Sequence, residues 1–398
     1  MGEDPKVIKI LVVLDTMGLG GAQSLIIDFC SGYDRQCLEV LVCALGKRVN
    51  MLPKLEECSV KHKILNFAKW NPFCIRALRK VAVEFEPDIV YAHLFKSLIA
   101  GSMVARRIGV PLVFHEHHEA TLANVKNAAS TGDRFARALY RFKRHFTYRA
   151  NRIITHGPKI ADRMLALNLV KGEQVFVIPH GIDLTKYNFS DEERAEFRQK
   201  IRDEFSIPED TVVVCNVGRF AKVKNWPDFL RVVAGVADTG QDVRALAVGN
   251  GPLLDDMKAL AQELGVADKV IFTGFRPDVS HLFLASDVIV YTSLAESGPL
   301  VVEEAMACGV PVLTYDVGET RAMVREDLDG HVVPNGAANQ LIEHLGDVIA
   351  DRAKLAAYAA SSLERAFSEF DVRLMVRRME LVLANARINH ARPHILGH

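Results

Sequence analysis

Apolar residues in this chain come in short unbroken runs, and this habit narrows the fold more than any other feature. In the first half the runs are "VIKILVVL" (7–14), "LEVLVCAL" (38–45), "DIVYAH" (88–93), "VPLVFH" (110–115), "RIITH" (152–156) and "VFVI" (175–178). In the second half they are "TVVVCNV" (211–217), "VRALAVG" (243–249), "KVIFTG" (269–274), "DVIVYT" (287–292) and "VPVLT" (310–314). A strand with one wet face alternates apolar and polar residues, whereas a continuous run suits a strand buried on both faces of a parallel sheet. Parallel neighbours need crossover connections, and the amphipathic intervals fit helices in that role. Each half therefore predicts a doubly wound α/β domain.

With 398 residues the chain has room for two or three domains. The predicted boundary follows "IPHGID" (178–183), because a highly charged segment (190–205), Pro208 and a fresh strand come next. This assigns 1–183 to a first domain and 184–369 to a second. A last helix over 370–386 carries apolar residues at 372, 375, 376, 379, 382 and 383, one stripe ready to dock.

Composition excludes more than it specifies. Lys and Arg total 49, as do Asp and Glu, so no global field draws the chain to nucleic acid or membrane. The seven cysteines contain no C-x-x-C pair and mostly lie in apolar runs, which predicts buried, reduced thiols. The N-terminus lacks the basic segment and cleavage site of a secretory signal, and no apolar run nears the ~18 residues that span a bilayer. A cytoplasmic location is expected. One local patch, "RFARALYRFKRHFTYRANR" (134–152), has seven basic residues and no acid, with Phe, Leu and Tyr interleaved. A basic amphipathic helix can lie on anionic lipid, though a solvated face explains the same pattern.

Ligands of open parallel sheets bind outside the carboxyl ends of the strands, so the chemistry is sought in the loops that follow them. The first strand leads into "DTMGLGGAQSL", where Gly18, Gly20 and Gly21 open a helix and suit close approach of an anion. A dinucleotide fingerprint would need glycine at position 23, where Gln23 stands, and the second strand ends without the expected acid. "VPLVFHEHHEA" sets His115, His117 and His118 beside Glu116 and Glu119. Its H-x-H spacing points two imidazoles one way, but no third or fourth metal ligand is evident in the sequence. Hydrogen bonding to a polar ligand and a structural histidine cluster are the other two readings. "NVGRFAKVKN" offers Arg219, Lys222 and Lys224 around Gly218, cations able to clamp phosphate or simply to face solvent.

The stretch "ESGPLVVEEAMAC" (296–308) is the most informative. Gly298 and Pro299 read as a helix start and Gly309 as its end. Backbone N–H groups from Ser297 through Gly298, Pro299 (which has none) and Leu300 to Val301 would border an anion. Glu304 lies about five residues in, about 7.5 Å along the axis, roughly the distance from a nucleotide's phosphates to its ribose. Acids favouring the helix dipole are the bland alternative, and Glu303 is assigned that part.

The chain resembles the retaining GT-B glycosyltransferases of family four. The likeness rests on "VGRFAKVKN" (217–225), "VGNGP" (248–252), "VIFTGF" (270–275) and the E-x7-E spacing of "ESGPLVVEEAMACGVPVL" (296–313). In the first half it rests on "MGLGGAQSL" (17–25), "PLVFHEHH" (111–118) and "VIPHGID" (177–183). It implies two Rossmann-like domains facing across a cleft, the first completed by the closing helix 370–390. It implies transfer of a hexose or N-acetylhexosamine from a nucleotide diphosphate sugar, UDP being the expected nucleotide, to a hydroxyl on a small-molecule, glycan or lipid-linked acceptor. Arg219 and Lys224 would neutralise the diphosphate, Glu304 would hold the ribose, and Glu296 with 297–301 the sugar and phosphates. His117 (His115 in the other register) would hydrogen-bond the transferred sugar. Gly20 and Gly21 would approach from the first domain, and Asn250, Phe275 and Arg276 would hold the base. No metal or other cofactor is expected, and attack would come from the front face with the departing phosphate taking the acceptor proton. Ser297-Gly298-Pro299 departs from the Gly-Phe-Gly or Gly-Leu-Pro that follows the first Glu in many relatives, so the donor is less fixed than the reaction class. The alternative function is a non-catalytic nucleotide-sugar sensor or partner subunit; an NAD enzyme is disfavoured by Gln23.

Overall fold

The computed structural model describes residues 7–67, 71–117 and 134–391. Its contacts divide the chain into two units, 1–180 with 372–398 and 181–371. The first unit holds a seven-stranded sheet: β1 (Ile8–Leu14), β2 (Leu38–Gly46), β3 (Lys61–Phe67), β4 (Ile89–His93), β5 (Leu112–Glu116), β6 (Arg152–Thr155) and β7 (Val175–Val177). Their spatial order is β3-β2-β1-β4-β5-β6-β7. The second unit holds β8 (Val212–Val217), β9 (Val243–Val248), β10 (Val270–Gly274), β11 (Val288–Tyr291), β12 (Val312–Tyr315) and β13 (Gly330–Val333), in the order β10-β9-β8-β11-β12-β13.

Every described ladder is parallel. Ile10 of β1 stands opposite Val40 on one side and Ile89 on the other, and Val214 of β8 opposite Ala245 and Val288. The unbroken runs are explained by burial on two faces. Ile10, Val12 and Leu14 enter one cluster while Leu11 and Val13 enter the cluster behind the sheet. Val212 and Val214 part from Val213 and Cys215 in the same way. Four of the seven cysteines are buried and none is in a disulfide.

Two strands escaped the sequence pattern. β3, "KHKILNF", is an edge strand whose residues are only partly covered, so it lacks a continuous apolar run. β13 is a four-residue edge strand carrying His331, too short and too polar for the same signal.

The last helix spans Val372–Ala391 and belongs to the first unit. Met375, Val376, Met379, Val382, Leu383 and Ala386 are buried in the cluster that contains Ile10 and Val12. Glu380 Oε1 accepts the Asp34 N–H at 2.7 Å, and Arg387 pairs with Asp88 at 3.2 Å, which pin the docked stripe. The basic segment forms a helix over Arg134–Thr147. Phe142 stacks edge-on against Phe95 and Phe146, and Arg144 Nε donates to the Asn168 carbonyl at 2.8 Å. No helix among the described residues is long and apolar enough to cross a membrane.

Candidate functional site

All strands of a parallel sheet end on the same side, so the loops after β8 and β11, which are neighbours, meet there. Backbone stitching fixes how they meet. Leu294 N donates to the Val223 carbonyl at 2.7 Å, Ser293 Oγ to the same oxygen at 3.0 Å, and Thr292 Oγ1 to the Asn225 carbonyl at 3.0 Å. The result is a compact polar knot. Glu296 Oε1 accepts from Lys224 Nζ at 2.6 Å, Ser293 Oγ at 2.6 Å and Tyr291 OH at 2.8 Å. Lys224 Nζ also donates to the Tyr291 hydroxyl at 2.7 Å and lies over its ring. Burial and then the Glu296 charge push the Tyr291 hydroxyl well above its usual range, so it stays a proton donor. The Lys224 and Glu296 side chains are 23% and 17% exposed, covered enough to be held and open enough to be reached.

Arg219 is exposed, with no ion-pair partner among the described residues; its carbonyl accepts from Trp226 Nε1 at 3.1 Å. Asn250 is exposed, and its carbonyl accepts from Phe220 N at 3.0 Å, tying the loops after β8 and β9 together. Gly249 makes this possible: at φ +139° it sits where a Cβ would stand 2.0 Å from the Gly218 carbonyl oxygen. Phe275 is 78% exposed, as a ring awaiting a stacking partner would be. Arg276 is already committed, pairing with Asp278 at 2.7 Å and with Glu204.

The helix expected from the Gly-Pro pair runs Leu300–Ala307, with Pro299 at its cap and Gly309 turning the chain at φ +73°. Ser297, Gly298 and Val301 are partly exposed, Pro299 is buried and Leu300 lies at the surface. Glu304 is the fifth helical residue. Burial raises its carboxyl above the usual range, and a hydrogen bond from the Tyr187 hydroxyl opposes that. Glu303 does not serve the helix as a solvated acid. It is fully buried, neither carboxyl oxygen has a hydrogen-bond partner among the described residues, and burial followed by the Glu304 charge raises it well above its usual value.

In the first unit Gly20 caps the helix Gly21–Gly32 in extended backbone, and both glycines are exposed. Gln23, which breaks the dinucleotide fingerprint, folds back so that its Nε2 donates to the Thr16 carbonyl at 2.8 Å. A cavity of about 770 Å³ opens at the ends of β1, β2 and β3, lined by Asp15, Lys47, Arg48, Phe67, Asn71 and Lys96 among others. Further along the same edge, His115 and His117 stack with centroids 4.4 Å apart. They join a chain of imidazoles. Tyr91 OH meets His115 Nδ1 at 2.7 Å, His115 Nε2 meets His156 Nδ1 at 3.3 Å, His156 Nε2 meets His117 Nδ1 at 3.1 Å, and His117 Nε2 meets His93 Nδ1 at 2.9 Å. His180 stacks on His156 at 3.7 Å. Burial holds His93 down to about 3 and His180 to about 4. His118 and Glu119 lie outside the described residues.

Sequence reasoning missed Tyr291, Ser293, Tyr187, Tyr91, His93, His156 and His180. All but Tyr187 and Tyr91 stand at a strand's last residue or just beyond, so the strand-end rule could have found most of them. Gly318 was also missed. At φ +53° it packs so closely that a Cβ would stand 2.6 Å from the Ser297 carbonyl oxygen and 2.8 Å from that of Glu296.

Known proteins bear on this arrangement. The family described as "Glycosyl transferases group 1" matches residues 197–364, and "Glycosyltransferase Family 4" matches 19–186. A 2-deoxystreptamine glucosyltransferase of Streptomyces kanamyceticus is 28% identical over 329 residues, 80% of this chain and 84% of that one. A D-inositol 3-phosphate glycosyltransferase of Mycobacteroides abscessus is 31% identical over 306 residues, covering 74% and 66%. Among solved structures, Anabaena HepE in complex with UDP superposes with a TM-score of 0.79 at 22% identity, covering 96% of this chain and 100% of that one. Sucrose-phosphate synthase from Thermosynechococcus elongatus gives 0.74 at 19% identity, covering 97% and 100%. Two parallel sheets with flanking helices, two family matches that follow one another along the chain, and these likenesses agree, and the chain belongs to the group 1 glycosyltransferases of family four, with their two-domain GT-B fold.

Proposed function

We propose that this glycosyltransferase is a retaining enzyme that moves a hexose or N-acetylhexosamine from a nucleotide diphosphate sugar, a UDP-sugar by preference, to an acceptor hydroxyl without a metal. The observation that carries the proposal is the Lys224–Tyr291–Ser293–Glu296 knot. Three donors converge on one oxygen of Glu296. Such an oxygen is fixed in place, which suits a carboxylate that positions the sugar. Its Oε2 has no hydrogen-bond partner among the described residues and is the atom assigned to the sugar hydroxyls.

Transfer builds charge on the departing phosphate. Lys224, prealigned by the knot, and the exposed Arg219 are assigned to that charge, with the first turn of Leu300–Ala307 adding backbone donors. These groups supply the electrostatic work that a divalent ion does in other transferases, so no metal is required. Glu304 takes the ribose hydroxyls and Phe275 the face of the base, while Arg276, held by Asp278 and Glu204, positions its loop. The UDP complex of HepE supports the choice of nucleotide. The cavity bordered by Lys47, Arg48 and Lys96 is assigned to the acceptor. Peripheral contact of 134–152 with an anionic bilayer is part of the proposal, as is a cytoplasmic site of action.

The test combines a thermal-shift screen of UDP-, GDP- and ADP-sugars with assays of nucleotide release and product anomer. Glu296→Gln and Lys224→Ala are expected to lower transfer by about 10²–10³-fold, the scale of losing one preorganised donor, with folding kept. Near-normal turnover in both would refute the assignment. Tight donor binding with no transfer or hydrolysis would favour a sensor.

A further inference from the structure

We propose that the first unit carries a site for a zinc-class divalent cation, held by the ring nitrogens of His93, His115 and His117. The three imidazoles are buried, and each offers one nitrogen such that all three lie within 4.8 Å of one another. His93 and His115 face each other across the β4–β5 ladder, and His117 follows one pleat later on the same side. In a tetrahedral site with metal–nitrogen bonds of about 2.0–2.1 Å the donors stand about 3.3 Å apart. The widest pair therefore closes by at most about 1.5 Å.

Two further observations point to a ligand. His93 Nε2 is buried and has no hydrogen-bond partner among the described residues, so the imidazole chain ends on an unsatisfied atom that a cation or its water would satisfy. Tyr91 holds His115 at Nδ1, which leaves Nε2 facing the cluster, the outer hydrogen bond that metal-ligating histidines rely on. His156 touches both His115 and His117 and braces the two rings from the side. An all-imidazole donor set suits zinc, cobalt, nickel or copper and not magnesium or calcium. Bound metal takes His117 away from the sugar contact that the family resemblance gives it, so occupancy switches transfer off. That consequence rests on the proposed function; the site itself does not.

The experiment uses the full chain freed of metal by chelation. Cobalt(II) is expected to give the intense visible bands of a tetrahedral site, and zinc to displace it at about one ion per chain. His93→Gln and His115→Gln should each weaken zinc binding more than 100-fold, and Tyr91→Phe about 10-fold, with circular dichroism confirming the fold. Zinc should slow transfer and a chelator restore it. Absence of the cobalt bands in the unaltered protein overturns the site without reference to any variant. Zinc affinity undiminished in both histidine variants also overturns it, because the metal then sits on other histidines. Tetrahedral binding without slowing overturns the switch alone.

Discussion

Glu303 gives the sharpest test of the physical reading, because burial and missing partners make a quantitative demand. Its side chain is fully buried, and both carboxyl oxygens lack hydrogen bonds among the described residues. An unsatisfied buried polar group costs about 1–3 kcal/mol. Ionisation adds a second cost. The carboxyl is raised well above 4.5 by burial and then by Glu304, so the unfolded chain releases this proton at lower pH than the folded one. Between 4.5 and the folded value the native state binds more protons, and stability must fall as pH rises. The slope is about 1.4 kcal/mol per pH unit, and the loss stops once Glu303 ionises in the fold. Two substitutions separate the costs. Glu303→Gln keeps the polar group and removes the titration, so its advantage over the native residue should widen with pH at that slope. Glu303→Met also removes the polar group and should gain a further ~1–3 kcal/mol, about 2–4 °C in melting temperature per kcal/mol for a domain of this size. Urea denaturation from pH 5 upward, followed by circular dichroism and by fluorescence to which buried Trp226 of the same unit contributes, measures both. Parallel pH profiles for Glu303→Gln and the native chain, or a Met variant less stable than either, would show a charged carboxylate held by partners and refute the reasoning.

Three other outcomes are expected. Asp287 accepts from Arg198 at 2.8 Å, Arg202 at 3.2 Å and Val213 N at 2.7 Å, and Arg202 is 2% exposed; Asp287→Ala leaves that guanidinium its carbonyl partners at Pro208 and Thr211 but no counter-charge, and should cost about 3 kcal/mol in urea denaturation. Gly318→Ala forces a Cβ against the carbonyl oxygens of Glu296 and Ser297, so transfer should fall while circular dichroism stays native; unchanged kcat would show that the loop's position is unimportant. Because burial raises Glu304 and its ionised form is the one assigned to the ribose, donor affinity should decline on acidification from a higher pH than an ordinary carboxylate allows. Glu304→Gln should flatten that decline in calorimetric titrations.

The fold was legible because its determinant is a repeated local pattern. Eleven of the thirteen described strands announced themselves as unbroken apolar runs, since a strand covered on both faces carries mostly apolar side chains. β3 and β13 fail that test for different reasons: β3 is only partly covered and so admits Lys61 and Lys63, whereas β13 is buried but has four residues, two of them Gly330 and His331. The docking stripe of the last helix was legible by the same logic at helical period, and Met375 to Leu383 fill it.

The site was legible only as far as its chemistry is contiguous in sequence. Glu296 and Glu304 share one segment, and Arg219 and Lys224 another, so spacing alone could nominate them. That Lys224 binds Glu296 directly, with Tyr291 and Ser293 donating to the same oxygen, depends on β8 and β11 being neighbours, a topological fact that no local window contains. Glu303 and Glu304 show the limit most plainly. They are adjacent and chemically identical, yet about 100° of helical rotation separates a carboxylate that reaches the Tyr187 hydroxyl from one sealed in the core. Assigning Glu303 to the helix dipole missed its burial, because a sequence records which residues are acids, whereas burial is set by what packs against each face. The histidines invert the lesson. His115 and His117 were visible as a pair, but His93 and His156 come from adjacent strands, so the chain that ends on the unsatisfied His93 nitrogen exists only once β4, β5 and β6 lie side by side.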